Sequence, residues 1–378
     1  MAPLMAGVIR EAGEDGTRVA VVPADVGRLR EAGVTILVES GAGRRASFGD
    51  EAYAAAGADV VSPSDLYGRC DVLLCVRVPE PATVSTVAPG RVVLGLLGLR
   101  GDWPGLRALA GRGLTAVSFD GLPRTVSRAQ AMDALTSQAN VAGYKAVLVA
   151  ANAFGRLFPM QMTAAGTNRP ARVLVLGAGV AGLQAIGTAR RLGAVVSAYD
   201  VRPAAHDDIA SLGGRFVELG GTFGGATGGG YARELSEQER RALPEALAPH
   251  VGRADIVITT AMVPGRRPPV LVTDEAVKAM APGSVVVDLA SGAEGGNVAA
   301  SRPGRTVVTD GGVTVIGAGD LPSRIAAAAS EAYSRNVSAL LRHIVRDGAV
   351  SLDGTDEIVA GVVAVRDGQI APSWKGYE

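Results

Sequence analysis

A chain of 378 residues is too long for one ordinary domain and favours two. Apolar residues make up 48 % and charged residues 20 %, enough to build packed cores. Because 37 basic residues balance 37 acidic ones and no basic stretch is dense enough to follow a phosphate backbone, nucleic acid is excluded as a partner. The longest apolar run, Val92–Leu99, falls far short of the roughly 20 residues that a membrane-spanning helix needs. The N-terminus, Met-Ala-Pro-Leu-Met-Ala, lacks the basic region and long apolar core of a signal peptide, so a cytoplasmic location is expected.

In chain order, Ala6–Ile9, Thr35–Val38, Val72–Val76, Val92–Leu97 and Thr115–Ser118 read as buried strands. Helical patterns lie between them at Ala24–Ala32 and Asp50–Ala56, closed by Gly33 and Gly57, with Asp50 placed to cap the second. Cys70 and Cys75, the only cysteines, flank or occupy an apolar strand and read as reduced small hydrophobes. No metal site is expected. From Ala131 to about Phe154 a long proline-free stretch predicts one helix, a candidate connection between domains. Phe158–Pro170 is punctuated like a hairpin or an arm, and a second α/β series runs from Arg172 to about Gly319. The tail holds a second long helical pattern, Ser323–Val345. It is followed by the apolar runs Ile358–Val365 and Gln369–Ile370 around Asp367-Gly368, a favoured hairpin turn pair. Too small for a third domain, this tail is expected to fold back on the first. The fold expected is α/β, two Rossmann-like doubly wound domains with a nucleotide cleft between them: residues 1–132 with 323–378 form a discontinuous first domain, and 133–322 the second.

The second series opens on a phosphate loop. Arg172–Leu176 is an apolar strand, Gly177-Ala-Gly179-Val-Ala-Gly182 follows at once, and a helix runs from Leu183 to Leu192 before the strand Val195–Ala198 and Asp200. Gly177 permits the tight turn, Gly179 leaves room for a pyrophosphate, and Gly182 lets helix and strand approach. Free N–H groups and the dipole of the helix N-terminus suit the phosphates. Asp200 is placed to accept from ribose hydroxyls and to repel a 2′-phosphate, which favours NAD over NADP, while Arg202 beside it could tolerate that phosphate. Asp288, which closes another apolar strand, reads as a turn or helix cap.

Several stretches follow one pattern. They are Ser127-Arg-Ala-Gln-Ala-Met-Asp133, Ser137-Gln-Ala-Asn-Val-Ala-Gly-Tyr-Lys-Ala146, Phe158-Pro-Met-Gln-Met-Thr-Ala-Ala-Gly166, Gly179-Val-Ala-Gly-Leu-Gln-Ala-Ile186, Asp200-Val-Arg202 and Pro282-Gly-Ser-Val-Val-Val-Asp-Leu-Ala290. Together they closely resemble the NAD(H)-binding alpha subunit (domain I) of proton-translocating NAD(P) transhydrogenase, a sister family of alanine dehydrogenase. The resemblance implies a homodimer that presents NADH to an NADP-binding partner subunit, with hydride passing directly between the nicotinamides and membrane-embedded subunits coupling the exchange to protons. The chain would then sit at the inner face of the cell membrane when assembled, with NADP(H) bound only on the partner. The resemblance also implies a nicotinamide loop of Arg124 or Arg128, Gln130 and Asp133, with Thr136 near the ring amide. Pro123-Arg-Thr-Val-Ser-Arg128 is one residue longer than the usual pattern, which leaves the arginine open. The nucleotide set it implies is Gly177, Gly179, Val180, Ala181 and Gly182, then Asp200, Val201 and Arg202, and Thr260 and Ala261. Gly230 and Tyr231 would belong to a glycine-rich mobile loop from Gly224 that closes over the nucleotide.

Two rivals remain. An amino-acid or opine dehydrogenase of the alanine dehydrogenase type needs a positioned acid, usually Lys or His. The first 144 residues contain neither; the lysines are Lys145, Lys278 and Lys375, and the histidines His206, His250 and His343. The corresponding strand reads Leu74-Cys-Val-Arg77, and an Arg does not release a proton at neutral pH. Hydride transfer between nicotinamides needs only alignment and exclusion of water. The second rival is a non-catalytic NADH-binding protein on the same scaffold.

Overall fold

The computed structural model describes residues 3–98, 103–221, 223–225, 233, 235–262 and 267–377. The chain divides into two compact units, Met1–Gln138 with Pro322–Glu378, and Ala139–Leu321.

The first unit is built on an eight-stranded sheet. Leu4–Val8, Val34–Glu39, Asp59–Val61, Val72–Leu74, Val92–Gly95 and Thr115–Ser118 run parallel, and the chain winds outward from Leu4–Val8 in both directions. Val363–Arg366 adds antiparallel to Thr115–Ser118, and Gln369–Ile370 closes the edge through the hairpin at Asp367-Gly368. Apolar clusters cover both faces of the sheet, as a parallel sheet requires. The helices Pro23–Glu31 and Ala326–Ile344 lie on one of these clusters.

Two local details of this unit depart from the sequence reading in ways that matter for its packing. Asp50 is the first residue of its helix rather than its cap; Gly49 is the cap, and the Asp50 carboxylate instead accepts from Ser40 Oγ (2.7 Å) and Gly41 N (2.9 Å), tying the helix to the turn after Val34–Glu39. The run Ile358–Val365 is not one extended segment. Asp356 accepts from Ile358 N (2.8 Å) and starts the helix Glu357–Val362, so only Val363–Arg366 is strand. Cys70 and Cys75 are buried free thiols. Burial pushes Cys70 up to about 11 and Cys75 well above its ordinary value, which leaves both chemically quiet.

The second unit carries a seven-stranded sheet in the order Arg215–Phe216, Val195–Tyr199, Arg172–Leu176, Ile256–Thr259, Val285–Asp288, Thr314–Gly317, Thr306–Val308. All neighbours are parallel except the last pair. The winding reverses between Arg172–Leu176 and Ile256–Thr259, so the loops after these two strands open at a topological switch point. The helix Ala134–Ala153 leads into this unit. Its Gly143 is required there, since a Cβ would stand 2.0 Å from the Ala181 carbonyl oxygen. Next, Gln161–Thr163 and Gly166–Asn168 pair antiparallel in an exposed hairpin, with Met160 and Met162 open to solvent at 59 % and 74 %. No helix among the described residues is long and apolar enough to cross a membrane.

Candidate nucleotide-binding site

The loop after Arg172–Leu176 has the geometry its glycines predict. Gly177 sits at φ 99°, where an L side chain is strained, and Thr260 Oγ1 donates to its carbonyl (2.9 Å). A Cβ on Gly182 would meet the Gly177 carbonyl oxygen at 1.9 Å, so the helix can begin this close to the turn only with glycine there. Gly179 is the extended N-cap, and a Cβ on it would enter open space. The helix Val180–Arg191 starts three residues earlier than its apolar period suggests, which puts Val180, Ala181 and Gly182 in its first turn. No side chain caps this turn. Its N–H groups therefore present partial positive charge beside the open approach over Gly179, which suits a pyrophosphate in sign.

Asp200 follows the next strand, and its Oδ2 accepts from Ala178 N at 2.7 Å, fixing the carboxylate beside the loop. Arg202 grips the same carboxylate with two bonds, Nε to Oδ1 at 3.0 Å and Nη2 to Oδ2 at 3.1 Å, and its backbone N donates to Oδ1 at 2.9 Å. The hydrogen bonds to Asp200 in turn hold the guanidinium above its ordinary pKa. Asp200 thus meets its surroundings as half of an ion pair, with less power to repel a phosphate than a lone carboxylate would have. Val201 packs in the apolar layer beneath Gly224, whose N–H donates to Glu239. Gly230 and Tyr231 lie outside the described residues.

Thr260 and Ala261 stand across the switch point from the loop and are braced by a network that sequence reasoning missed. Asn297 accepts from Ala261 N (3.0 Å) and donates to the carbonyls of Ala261 (2.9 Å) and Pro269 (2.8 Å). Fully buried Asp288 accepts from Thr259 Oγ1 (2.8 Å), Ala290 N (3.0 Å) and Asn297 N (3.4 Å). Burial raises its pKa, and these donors pull the other way. Beyond the cap expected of it, Asp288 is the anchor of the loop that carries Asn297.

In the first unit the structure separates the residues of the expected nicotinamide loop. Arg124, Asp133 and Thr136 come together: Arg124 Nε donates to Asp133 Oδ2 (2.8 Å), Arg124 Nη2 to Thr136 Oγ1 (2.5 Å), and Thr136 donates through its N (2.8 Å) and Oγ1 (2.6 Å) to Asp133. Arg128 turns away, to Asp356 and Glu357, and Asp356 also meets His343 Nε2 at 3.0 Å. Gln130 is exposed and belongs to neither group. The extra residue in Pro123–Arg128 is thus taken up with Arg124, not Arg128, beside Asp133.

A second cluster in this unit was not foreseen. Glu11, 8 % exposed, accepts from Val76 N at 2.6 Å; burial raises its pKa to about 7, against the pull of the Val76 and Arg77 amides and of the Arg18 and Arg77 charges. Buried Arg18 donates to Gln138 Oε1 (2.7 Å), and Gln138 Nε2 to the Ala329 carbonyl (3.0 Å). The sequence offered little signal for it, because Glu11 and Arg18 stand in a stretch that also carries Arg10, Glu14 and Asp15.

Comparison with known proteins matches both units to one family. Residues 7–142 correspond to "Alanine dehydrogenase/PNT, N-terminal domain" and residues 146–373 to "Alanine dehydrogenase/PNT, C-terminal domain". The chain belongs to the alanine dehydrogenase/PNT family. Within it, the chain is 45 % identical to an NAD(P) transhydrogenase subunit alpha polypeptide of Rhodospirillum rubrum over 371 residues, 96 % of this chain and 95 % of that one. A solved transhydrogenase from Sinorhizobium meliloti superposes with a TM-score of 0.86 at 41 % identity, covering 97 % of this chain and 99 % of that one. The alanine dehydrogenase of Mycolicibacterium smegmatis is more distant, at 32 % identity over 79 % of this chain and 76 % of that protein. Both branches of the alanine dehydrogenase/PNT family share this two-unit α/β architecture, and the chain stands nearer the transhydrogenase branch.

Proposed function

We propose that this chain is the NAD(H)-binding component of an NAD(P) transhydrogenase, exchanging hydride directly with NADP(H) held by a partner subunit whose membrane-embedded companions couple the exchange to proton movement. The observation that carries the reading is similarity to transhydrogenase alpha subunits over nearly the whole chain, joined to a glycine loop shaped for a pyrophosphate. Bound NAD(H) would supply the hydride; the chain's own work is to bind, orient and keep water away. The first-turn amides of Val180–Gly182 and the space over Gly179 suit the pyrophosphate, and the Asp200–Arg202 pair suits the ribose beside it. Arg124, Asp133 and Thr136 form a rigid set of donors and acceptors suited to a carboxamide. Homodimerisation through the exposed Gln161–Asn168 hairpin belongs to the same reading.

The amino-acid dehydrogenase reading keeps one support: Glu11, held near neutrality inside the first unit, is an ionisable group of the kind that chemistry needs. One pair of assays separates the two. The purified chain, mixed with an NADP-binding transhydrogenase domain, should catalyse reduction of an NAD analogue by NADPH. The chain alone, with NAD and a panel of amino acids, should give no growth of NADH absorbance. Turnover of an amino acid without the partner domain reverses the assignment.

A further inference from the structure

A cavity of about 480 Å³ in the first unit lies between the helix Pro23–Glu31, the turns Ser127–Met132 and the outer face of the helix Ala326–Ile344. Of the residues expected around the nicotinamide, Gln130 lines it, and Arg124, Asp133 and Thr136 do not. We propose that it binds a small molecule carrying several oxyanion oxygens, as phosphate groups or as multiple carboxylates.

The charge of the lining is one-sided. Arg335 and Arg342, two helical turns apart on one face, reach the cavity with Arg28, and no carboxylate among the described residues lines it. Arg28 is already paired with Asp25 at 3.0 Å, but Arg335 and Arg342 have no ion-pair partner among the described residues. Two unneutralised guanidiniums around a concave surface concentrate positive potential and attract an anion. An adjoining smaller hollow shares Arg28 and Arg335 but is lined by Asp25 and Glu331, so the larger cavity is the one suited to negative charge.

The serines of the same helix supply an independent observation. Ser330, Ser334 and Ser338 form one row along it at intervals of four. Ser330 Oγ accepts from Val19 N (3.0 Å), and Ser334 Oγ accepts from Val22 N (3.0 Å) and donates to Asp25 (2.6 Å). Ser338, 1 % exposed, lines the cavity, and its Oγ has no hydrogen-bond partner. A buried hydroxyl left unpaired is unfavourable, and a ligand oxygen that draws the Ser338 side chain toward the cavity would satisfy it. Asn336 cannot rotate to serve it, because its Oδ1 accepts from Ser137 Oγ (2.6 Å) and its Nδ2 donates to the Ala131 carbonyl (2.9 Å). The cavity therefore offers two guanidiniums with no ion-pair partner among the described residues, beside a buried hydroxyl with no partner of its own. The site borders the expected nicotinamide loop at Gln130, but its anion binding does not depend on the nucleotide-binding proposal.

The test is calorimetric titration of the full chain, in a chloride buffer free of phosphate, with inorganic phosphate, pyrophosphate and citrate. At least one should bind saturably, and preference for pyrophosphate or for citrate distinguishes the phosphate from the carboxylate source. The double variant Arg335→Ala, Arg342→Ala replaces two exposed side chains; it should keep the parent Tm and weaken that binding by at least about tenfold. Ser338→Ala should weaken it less, and Arg241→Ala, an exposed arginine of the second unit paired with Glu237, should leave it unchanged. No saturable binding, undiminished binding in the double variant, or an equal loss in Arg241→Ala overturns the proposal.

Discussion

Glu11 gives the sharpest quantitative test of the structure. Its carboxyl ionises at an ordinary value of 4.5 when solvated and at about 7 in the folded chain. At 1.36 kcal/mol per pH unit the gap corresponds to about 3 kcal/mol between the two protonation states. The folded value is raised, so the contribution of Glu11 is complete below about pH 4.5, declines as pH climbs through 7, and is gone above it. Glu11→Gln keeps an acceptor for the Val76 amide and removes the ionisation. Parent and variant should have matching stability near pH 4, and the variant should exceed the parent by up to about 3 kcal/mol at pH 8. Urea titration followed by tryptophan fluorescence isolates the relevant unit, because both tryptophans, Trp103 and Trp374, belong to the first one. Parallel pH profiles for the two proteins would refute the claim that this carboxyl is held in an apolar interior.

Other expectations concern the nucleotide site. Gly182→Ala places a Cβ 1.9 Å from a backbone oxygen, so the loop must move by more than about 1 Å, and NADH affinity by fluorescence titration should drop at least about tenfold. Arg202→Ala releases the Asp200 carboxylate; the ratio of NADPH to NADH dissociation constants should rise as the bare charge repels a 2′-phosphate, and an unchanged ratio argues against Asp200 as the discriminating group. Asp133→Ala strips Arg124 and Thr136 of their shared acceptor and should cost about 1–3 kcal/mol of stability and slow hydride exchange, with NADH affinity nearly kept. Arg128→Ala, whose native side chain pairs with Asp356 and Glu357, should leave exchange at the parental rate.

What could be read in the sequence was local. The strand, glycine turn and helix of the phosphate loop follow one another within 20 residues, Arg172 to Arg191, and Gly177 and Gly182 each have a steric reason that lies within the loop itself. The alternation of buried strands and helices likewise announced parallel sheets. What stayed hidden depended on residues far apart in the chain. Whether Arg124 or Arg128 meets Asp133 turns on Asp356, 228 residues beyond Arg128, which draws that guanidinium away. Gln138, Arg18 and Ala329 come from three segments that no spacing rule connects. The apolar run from Ile358 favours a strand by its β-branched residues, yet a single carboxylate at Asp356 captures the first amides and turns Glu357–Val362 into helix.

The C-terminal strand has a consequence for biosynthesis. Asp367 N donates to Thr115 Oγ1 across 252 residues, and Val363–Arg366 covers the Thr115–Ser118 side of the sheet built on Leu4–Val8. At about 5–20 residues per second, a ribosome delivers that closing segment tens of seconds after Thr115 has left the exit tunnel. The Rossmann unit is complete by Leu321 and is free to fold while its predecessor waits with an unprotected edge. Nascent chains stalled near residue 340 should therefore depend on chaperones more than released chains that carry Val363–Ile370.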